Sequence, residues 1–144
     1  MRIREATPDD LAEIMAITRE LAVFEELEEH LVATAEDLGR ALFGPQSVIT
    51  VSLVVDDDGT VAGHALWYRT FSTFLGRPGI WLEDLFVREP YRRRGYGRAL
   101  LEHLRSLSEG RVEWDVLDWN ATAIAFYEGL GAKPVVGWTK FRWT

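Results

Sequence analysis

The stretch Arg92-Arg93-Arg94-Gly95-Tyr96-Gly97-Arg98 decides how the rest of the chain is read. An apolar run, Ile80-Trp81-Leu82 and then Leu85-Phe86-Val87, precedes it, and Leu100, Leu101, Leu104 and Leu107 follow at helical spacing. A strand therefore enters the loop and an amphipathic helix leaves it. Two glycines at alternate positions leave backbone N–H groups open to a ligand. The helix start adds a partial positive charge and the arginines add full ones, which together suit a phosphate or pyrophosphate. No Gly-Lys-Ser/Thr follows, so this is not a Walker loop, and the third glycine of a dinucleotide fingerprint is missing. A basic surface turn before a helix uses the same residue types; the strand-to-helix junction favours anion binding.

Working outward, residues 2–6 read as a first strand. Thr7-Pro8-Asp9-Asp10 opens a helix, with Thr7 as cap and Asp10 as the capping-box acid. Leu11, Ile14, Ile17, Leu21 and Phe24 form its core stripe. Thr34-Ala35-Glu36-Asp37 starts a second helix, which Gly44-Pro45 stops. Residues 48–55 and 61–71 read as strands joined by an Asp57-Asp58-Gly59 hairpin turn. Strands at 79–87 and 111–117, a helix at 121–130 capped by Asn120, and a last strand at 135–143 complete the order β-α-α-β-β-β-α-β-α-β. The expected fold is α/β: a single domain over residues 1–144, with a mixed central sheet and helices on both faces.

The chain has 144 residues, 47% of them hydrophobic, enough for one globular core. It has no cysteine, which excludes disulfides, thiolate metal sites and a cysteine acyl-enzyme. Net charge is −7, which disfavours non-specific nucleic-acid binding and favours a cationic partner. The N-terminus lacks a signal-peptide core, and apolar stretches such as 123–127 are too short to span a bilayer. The reading is a cytoplasmic protein that engages no membrane. His30, His64 and His103 are scattered, without metal-ligand spacing, so no metal is expected. No Gly-x-Ser-x-Gly elbow supports a serine hydrolase.

Glu83 and Asp84 interrupt an otherwise apolar strand. Alternation sends them to opposite faces unless a bulge re-aims one, so at least one lies in a partly buried place. Burial raises a carboxylate pKa, which suits a proton acceptor near neutral pH. An edge strand whose acids pair with arginines is the plainer alternative. Tyr127 lies two helical turns beyond Asn120, near the same face. Glu25, Glu26, Glu28 and Glu29 form an acidic cluster, read either as a solvated helix end or as an attractor of a cationic amine.

The motif Arg92-Arg93-Arg94-Gly95-Tyr96-Gly97 resembles the acyl-CoA pyrophosphate loop of the GNAT superfamily of N-acetyltransferases. Glu20 to Glu25, Trp81-Leu82-Glu83-Asp84-Leu85-Phe86-Val87, and Trp119-Asn120 with Phe126-Tyr127 and Gly131-Ala132 resemble its diamine (spermidine/spermine) acetyltransferase branch. The resemblance implies an acetyl-CoA-dependent N-acetyltransferase acting on a primary amine of a diamine, polyamine or lysine-like compound. It implies direct attack in a ternary complex and a homodimer. A protein N-acetyltransferase and a non-catalytic CoA-binding sensor are the alternatives. By resemblance, Glu83 contacts or deprotonates the amine, directly or through water, with Asp84 in support, and Tyr127 is the general acid at the CoA sulfur. The strand backbone at Leu85, Phe86 and Val87 receives the pantetheine arm. Arg92, Arg93, Arg94, Gly95, Tyr96, Gly97 and Arg98 hold the pyrophosphate, and Asn120 also contacts CoA. Phe24, Glu25, Asp84 and Trp138 join Glu83 around the amine. This chain departs from the branch at Phe24, where a tyrosine is usual, and at Val135-Val136, where acids are usual; both departures point to a shorter amine than spermine.

Overall fold

A computed structural model describes residues 1–144. Its elements are β1 (Arg2–Glu5), α1 (Leu11–Phe24), α2 (Ala35–Phe43), β2 (Thr50–Val55), β3 (Val61–Ser72), β4 (Arg77–Val87), α3 (Tyr96–Leu107), β5 (Val112–Glu113) and α4 (Ala121–Gly129). The strands lie side by side in the order β1-β2-β3-β4-β5. The first four are antiparallel, and β5 returns parallel to β4 after the α3 crossover. A parallel pair needs such a crossover, because no tight turn can join its ends.

Side-chain alternation on the central strands builds a core on each face of the sheet. Val51, Leu53 and Leu66 pack with Ile14 of α1 and Leu42 of α2. Val54, Ala65, Trp67, Ile80 and Leu82 pack on the other face with Leu100 and Leu104 of α3. Burying polar atoms there requires partners, and Ser52 Oγ accepts from Trp67 Nε1–H at 3.1 Å. The helix starts follow their sequence signals. Thr34 Oγ1 accepts from the Asp37 N–H at 3.1 Å, and the Thr34 N–H donates to Asp37 Oδ2 at 2.8 Å. Asp10 accepts from the Thr7 N–H and takes both guanidinium nitrogens of Arg4 at 2.7 and 2.8 Å. Hydrogen bonds from Arg4 hold its carboxyl well below the usual carboxylate range.

Two expected strands differ. The strand expected at 111–117 pairs only at Val112 and Glu113, opposite Ile80 and Trp81. Beyond Trp81, β4 bulges at Glu83, and the partner edge is no longer aligned to accept a ladder. The strand expected at 135–143 is absent: residues 132–144 form no helix or strand. Val136, Trp138, Phe141 and Trp143 stand exposed there. Gly137 turns this tail with φ +93°, and a two-residue β5 offers little edge for it to join. Lys140 instead pairs with Asp115 and sits over the Trp81 ring, 5.7 Å from its centroid.

Candidate active site

The β4 bulge organises the site. Leu66 lies opposite Asp84 and Trp67 opposite Leu82, which leaves Glu83 as the extra residue. Glu83 is exposed and accepts a hydrogen bond from Trp81 Nε1–H at 2.8 Å. Asp84 points inward. Its carboxyl is pushed up to about 6, first by burial and then by the charges of Glu83 and Glu25. Sequence reasoning gave the proton-accepting role to Glu83; the burial it called for falls on its neighbour.

Glu25 reaches this place from the end of α1. It is half-buried, and burial raises its pKa. The chain leaves the helix through Glu26, whose φ of +58° is unusual for a residue with a side chain. The charge of Glu25 also acts on Tyr127, whose phenol is raised above its usual value mainly by burial. The Tyr127 ring is fixed by Trp114 and Phe126, with centroids 4.9 and 5.4 Å away. Asn120 caps α4, its side-chain oxygen accepting from the Ala123 N–H at 3.1 Å. Glu25, Asp84 and Tyr127 thus come together from three elements.

The edge of β4 facing β5 is open past Trp81. The Val87 carbonyl points out of that edge and accepts from Arg92 Nε at 2.9 Å. By the two-residue period of a strand, the Leu85 backbone groups face the same way. The Phe86 side chain is buried against Ile17 and Leu21, so only its backbone can serve a ligand. Opposite, Gly63 lets β3 approach this stretch: a Cβ there would stand 2.3 Å from the Phe86 carbonyl oxygen.

The loop beyond β4 forms an anion cradle. Gly95 precedes α3 with φ +82°, and Arg93 has φ +61°. The backbone N–H groups of residues 93–98 donate to no protein acceptor. Unpaired donors at a helix start are an anion site. Several loop side chains are otherwise engaged. Arg94 pairs with Asp56 at 3.3 Å, Arg98 with Glu102 at 2.9 Å, and the buried Tyr96 donates its hydroxyl to Asp56. Arg92 lies over Phe24 and Phe86 at 5.1 and 5.2 Å. Arg93 alone of the three consecutive arginines has no protein partner. A Cβ on Gly97 would approach the Phe126 ring at 3.4 Å, which brings α3 close to α4 beside the cradle. The cradle, the open β4 edge and the half-buried phenol fit a CoA pyrophosphate, pantetheine arm and thiol end in turn.

Phe24, expected beside the amine, faces the loop instead, 6.1 Å from Phe86. Trp138 lines a cavity of about 350 Å³ further out along β4. The sequence reading passed over residues near both places. Tyr68 lies opposite Trp81, and its phenol is raised by burial and by the Glu83 charge. Arg77 and Arg111 line the outer cavity; an arginine beside each of two strand starts was the available signal. His64 is fully buried with neither ring nitrogen bonded, and burial lowers its pKa to about 4, so it stays neutral. No group of three or more His, Asp or Glu side chains is placed to hold a metal ion.

Residues 11–132 match the acetyltransferase (GNAT) family. The chain is 34% identical to the L-ornithine N5-acetyltransferase of Arabidopsis thaliana, over 99% of this chain and 84% of that protein. It is 35% identical to the thialysine N-epsilon-acetyltransferase of Mus musculus, over 98% and 91%. An integron cassette protein from the mobile metagenome of V. cholerae shares the fold, with a TM-score of 0.81, 24% identity, and coverage of 99% and 91%.

Proposed function

The chain belongs to the GNAT family of acetyltransferases and is an N-acetyltransferase that uses acetyl-CoA, and from that premise we propose that its acceptor is the terminal primary amine of a small lysine-like molecule or short diamine. The observation that carries this reading is the inward-facing carboxyl of Asp84, flanked by Glu83 and Glu25 beside an open strand edge.

An alkyl ammonium with pKa about 10.4 is neutral in only about one molecule in a few thousand at pH 7. A carboxylate group at the site both attracts the cation and accepts the proton that its nitrogen must lose. Asp84 near 6 is ionised at neutral pH yet more basic than an exposed aspartate. Glu83, at the bulge, takes the proton onward to solvent, directly or through water. Acetyl-CoA supplies the activated acetyl group. The N–H groups of residues 93–98 and Arg93 bind its pyrophosphate, and the backbone at Leu85 and Val87 aligns its arm. Arg92 gives up the Val87 carbonyl as that arm enters. Tyr127 keeps its proton at neutral pH because its pKa is raised, so it can donate to the departing thiolate. Relatives named for ornithine and thialysine support an amino-acid-like acceptor. The protein acts as a single-domain subunit of a cytoplasmic homodimer; no helix is long and apolar enough to cross a membrane.

The test is release of free thiol from acetyl-CoA with ornithine, lysine, thialysine, putrescine, spermidine and spermine. Short acceptors turning over with higher kcat/KM than spermine is the expected result. Spermine ranking first, or no amine supporting thiol release, overturns the reading.

A further inference from the structure

The outer cavity beside Trp138 is lined by two arginines that form no ion pair in the protein. Arg77 begins β4 and Arg111 immediately precedes β5. They converge because the chain at 111 docks on β4: the Ile80 N–H donates to the Arg111 carbonyl at 2.8 Å. A Cβ on Gly79 would stand 2.8 Å from that same oxygen, so only glycine fits this approach. The cavity of about 350 Å³ between them is also lined by Thr70, Glu113 and Trp138. Arg4, Arg40, Arg88, Arg94 and Arg98 have carboxylate partners, whereas Arg2, Arg19, Arg93, Arg105 and Arg142 share the unpaired state of Arg77 and Arg111 but line no part of this cavity. Arg77 and Arg111 have neither an ion pair nor a side-chain hydrogen bond, in a chain that carries a net charge of −7. Two unpaired guanidinium groups at one cavity, with acids plentiful elsewhere, make a carboxylate-binding arrangement.

The cavity and the amine site lie along one face of the sheet. Register pairs Thr70 with Gly79, Tyr68 with Trp81 and Leu66 with Asp84. Alternation puts Leu66, Tyr68 and Thr70 on the same face. From Gly79 to Glu83 the strand advances roughly 13 Å at its usual rise. An aliphatic amine chain and the inward reach of an arginine side chain together cover that span, with Tyr68 and Trp81 as the wall between.

We infer that Arg77 and Arg111 form a subsite for the α-carboxylate of an amino acid whose terminal amine lies at Glu83 and Asp84. Glu113, on the same cavity wall, receives the α-ammonium. The inference rests on the acyl-transfer reading above and adds to it the residues that tell an amino acid from the diamine lacking its carboxylate.

The experiment compares kcat/KM for ornithine and lysine with that for putrescine and cadaverine, in the wild-type protein and in Arg77→Gln, Arg111→Gln and Arg111→Glu. Each glutamine variant is expected to lower the amino-acid values by about 10- to 100-fold, mainly through KM, and to leave the diamines within about twofold. Arg111→Glu is expected to raise the diamine values while abolishing the preference for amino acids. Both arginines are exposed, and an unchanged melting temperature checks that the variants fold. Parallel loss on both substrate classes, or no loss on amino acids, overturns the subsite. Wild-type turnover of diamines but not amino acids overturns the subsite and leaves the acyl-transfer reading standing. Turnover of no amine overturns both.

Discussion

Asp84→Asn should make the protein more stable and nearly inactive, with a pH dependence that identifies the cause. The carboxyl is held at about 6 against an ordinary value of 3.8. At 1.36 kcal/mol per pKa unit, carrying this charge costs the native state up to about 3 kcal/mol at pH 7. A carboxyl with a raised folded pKa binds more protons folded than unfolded between the two values. Its unfavourable contribution is therefore absent below pH 4, grows as pH rises from about 4 through 6, and is complete above that. Asparagine keeps the shape and removes the charge. Urea unfolding from pH 4 to 7.5 should show the variant and wild type converging at the acid end, with the variant ahead by up to about 3 kcal/mol at pH 7. His64, lowered to about 4, titrates in the same range but is common to both proteins and cancels. Glu25→Gln removes one of the charges that raise Asp84 and should narrow the gap. In parallel, kcat should fall by roughly 10²-fold or more. A variant no more stable than wild type at pH 7, or a gap that ignores pH, would refute the account of a strained, ionised Asp84. Near-normal turnover would remove it from the chemistry.

Gly97→Val should weaken acetyl-CoA binding at least about tenfold by calorimetry while the fold survives, because its Cβ meets only side chains, the Phe126 ring at 3.4 Å and Val87 Cγ2 at 3.9 Å. Gly95→Ala acts on the backbone instead: at φ +82° a side chain costs about 1–2 kcal/mol, so both melting temperature and CoA affinity should drop. Tyr127→Phe keeps the contacts with Trp114 and Phe126 and removes the proton, so turnover should fall by roughly 10²–10⁴ with CoA affinity unchanged. Full turnover in that variant at neutral pH would remove Tyr127 as the acid.

Local chemistry made much of this molecule legible from residues alone. Thr34 and Asp37, the Leu100–Leu104 stripe and the Gly95–Gly97 loop each announce themselves through a contact within a few residues. The unread parts depend on partners distant in sequence. Val135 to Trp143 has strand-like residues, yet pairing is decided by the length of β5, which the bulge in β4 cuts short. Asp84 and Glu83 are neighbours of the same chemical type. Which is buried depends on where the extra residue falls against β3, and pattern alone does not fix that. Arg77 and Arg111 lie 34 positions apart and meet only because β5 returns beside β4.

The bulge at Glu83 also explains why one strand can serve both reactants. A regular β4 would send Glu83 and Asp84 to opposite faces and offer β5 a straight edge to follow. One extra residue changes the twist there. Upstream of it, Trp81 remains paired to β5, and in the proposed site it walls the path from the amine out to Arg77 and Arg111. Downstream, the edge at Leu85 and Val87 has no strand partner; only Arg92 Nε occupies the Val87 carbonyl there, a side-chain contact that an extended ligand arm would replace. At the bulge itself Asp84 turns towards Glu25, and Glu83 stays at the surface. In the proposed reading the two substrates therefore approach the same pair of residues from opposite ends of β4. An insertion costs ladder hydrogen bonds, and the fold tolerates it because β3 continues in register on the other side, from Trp67 to Ser72. The proposed proton acceptor, the edge proposed for the cofactor and the path proposed for the amine all follow from the same local irregularity.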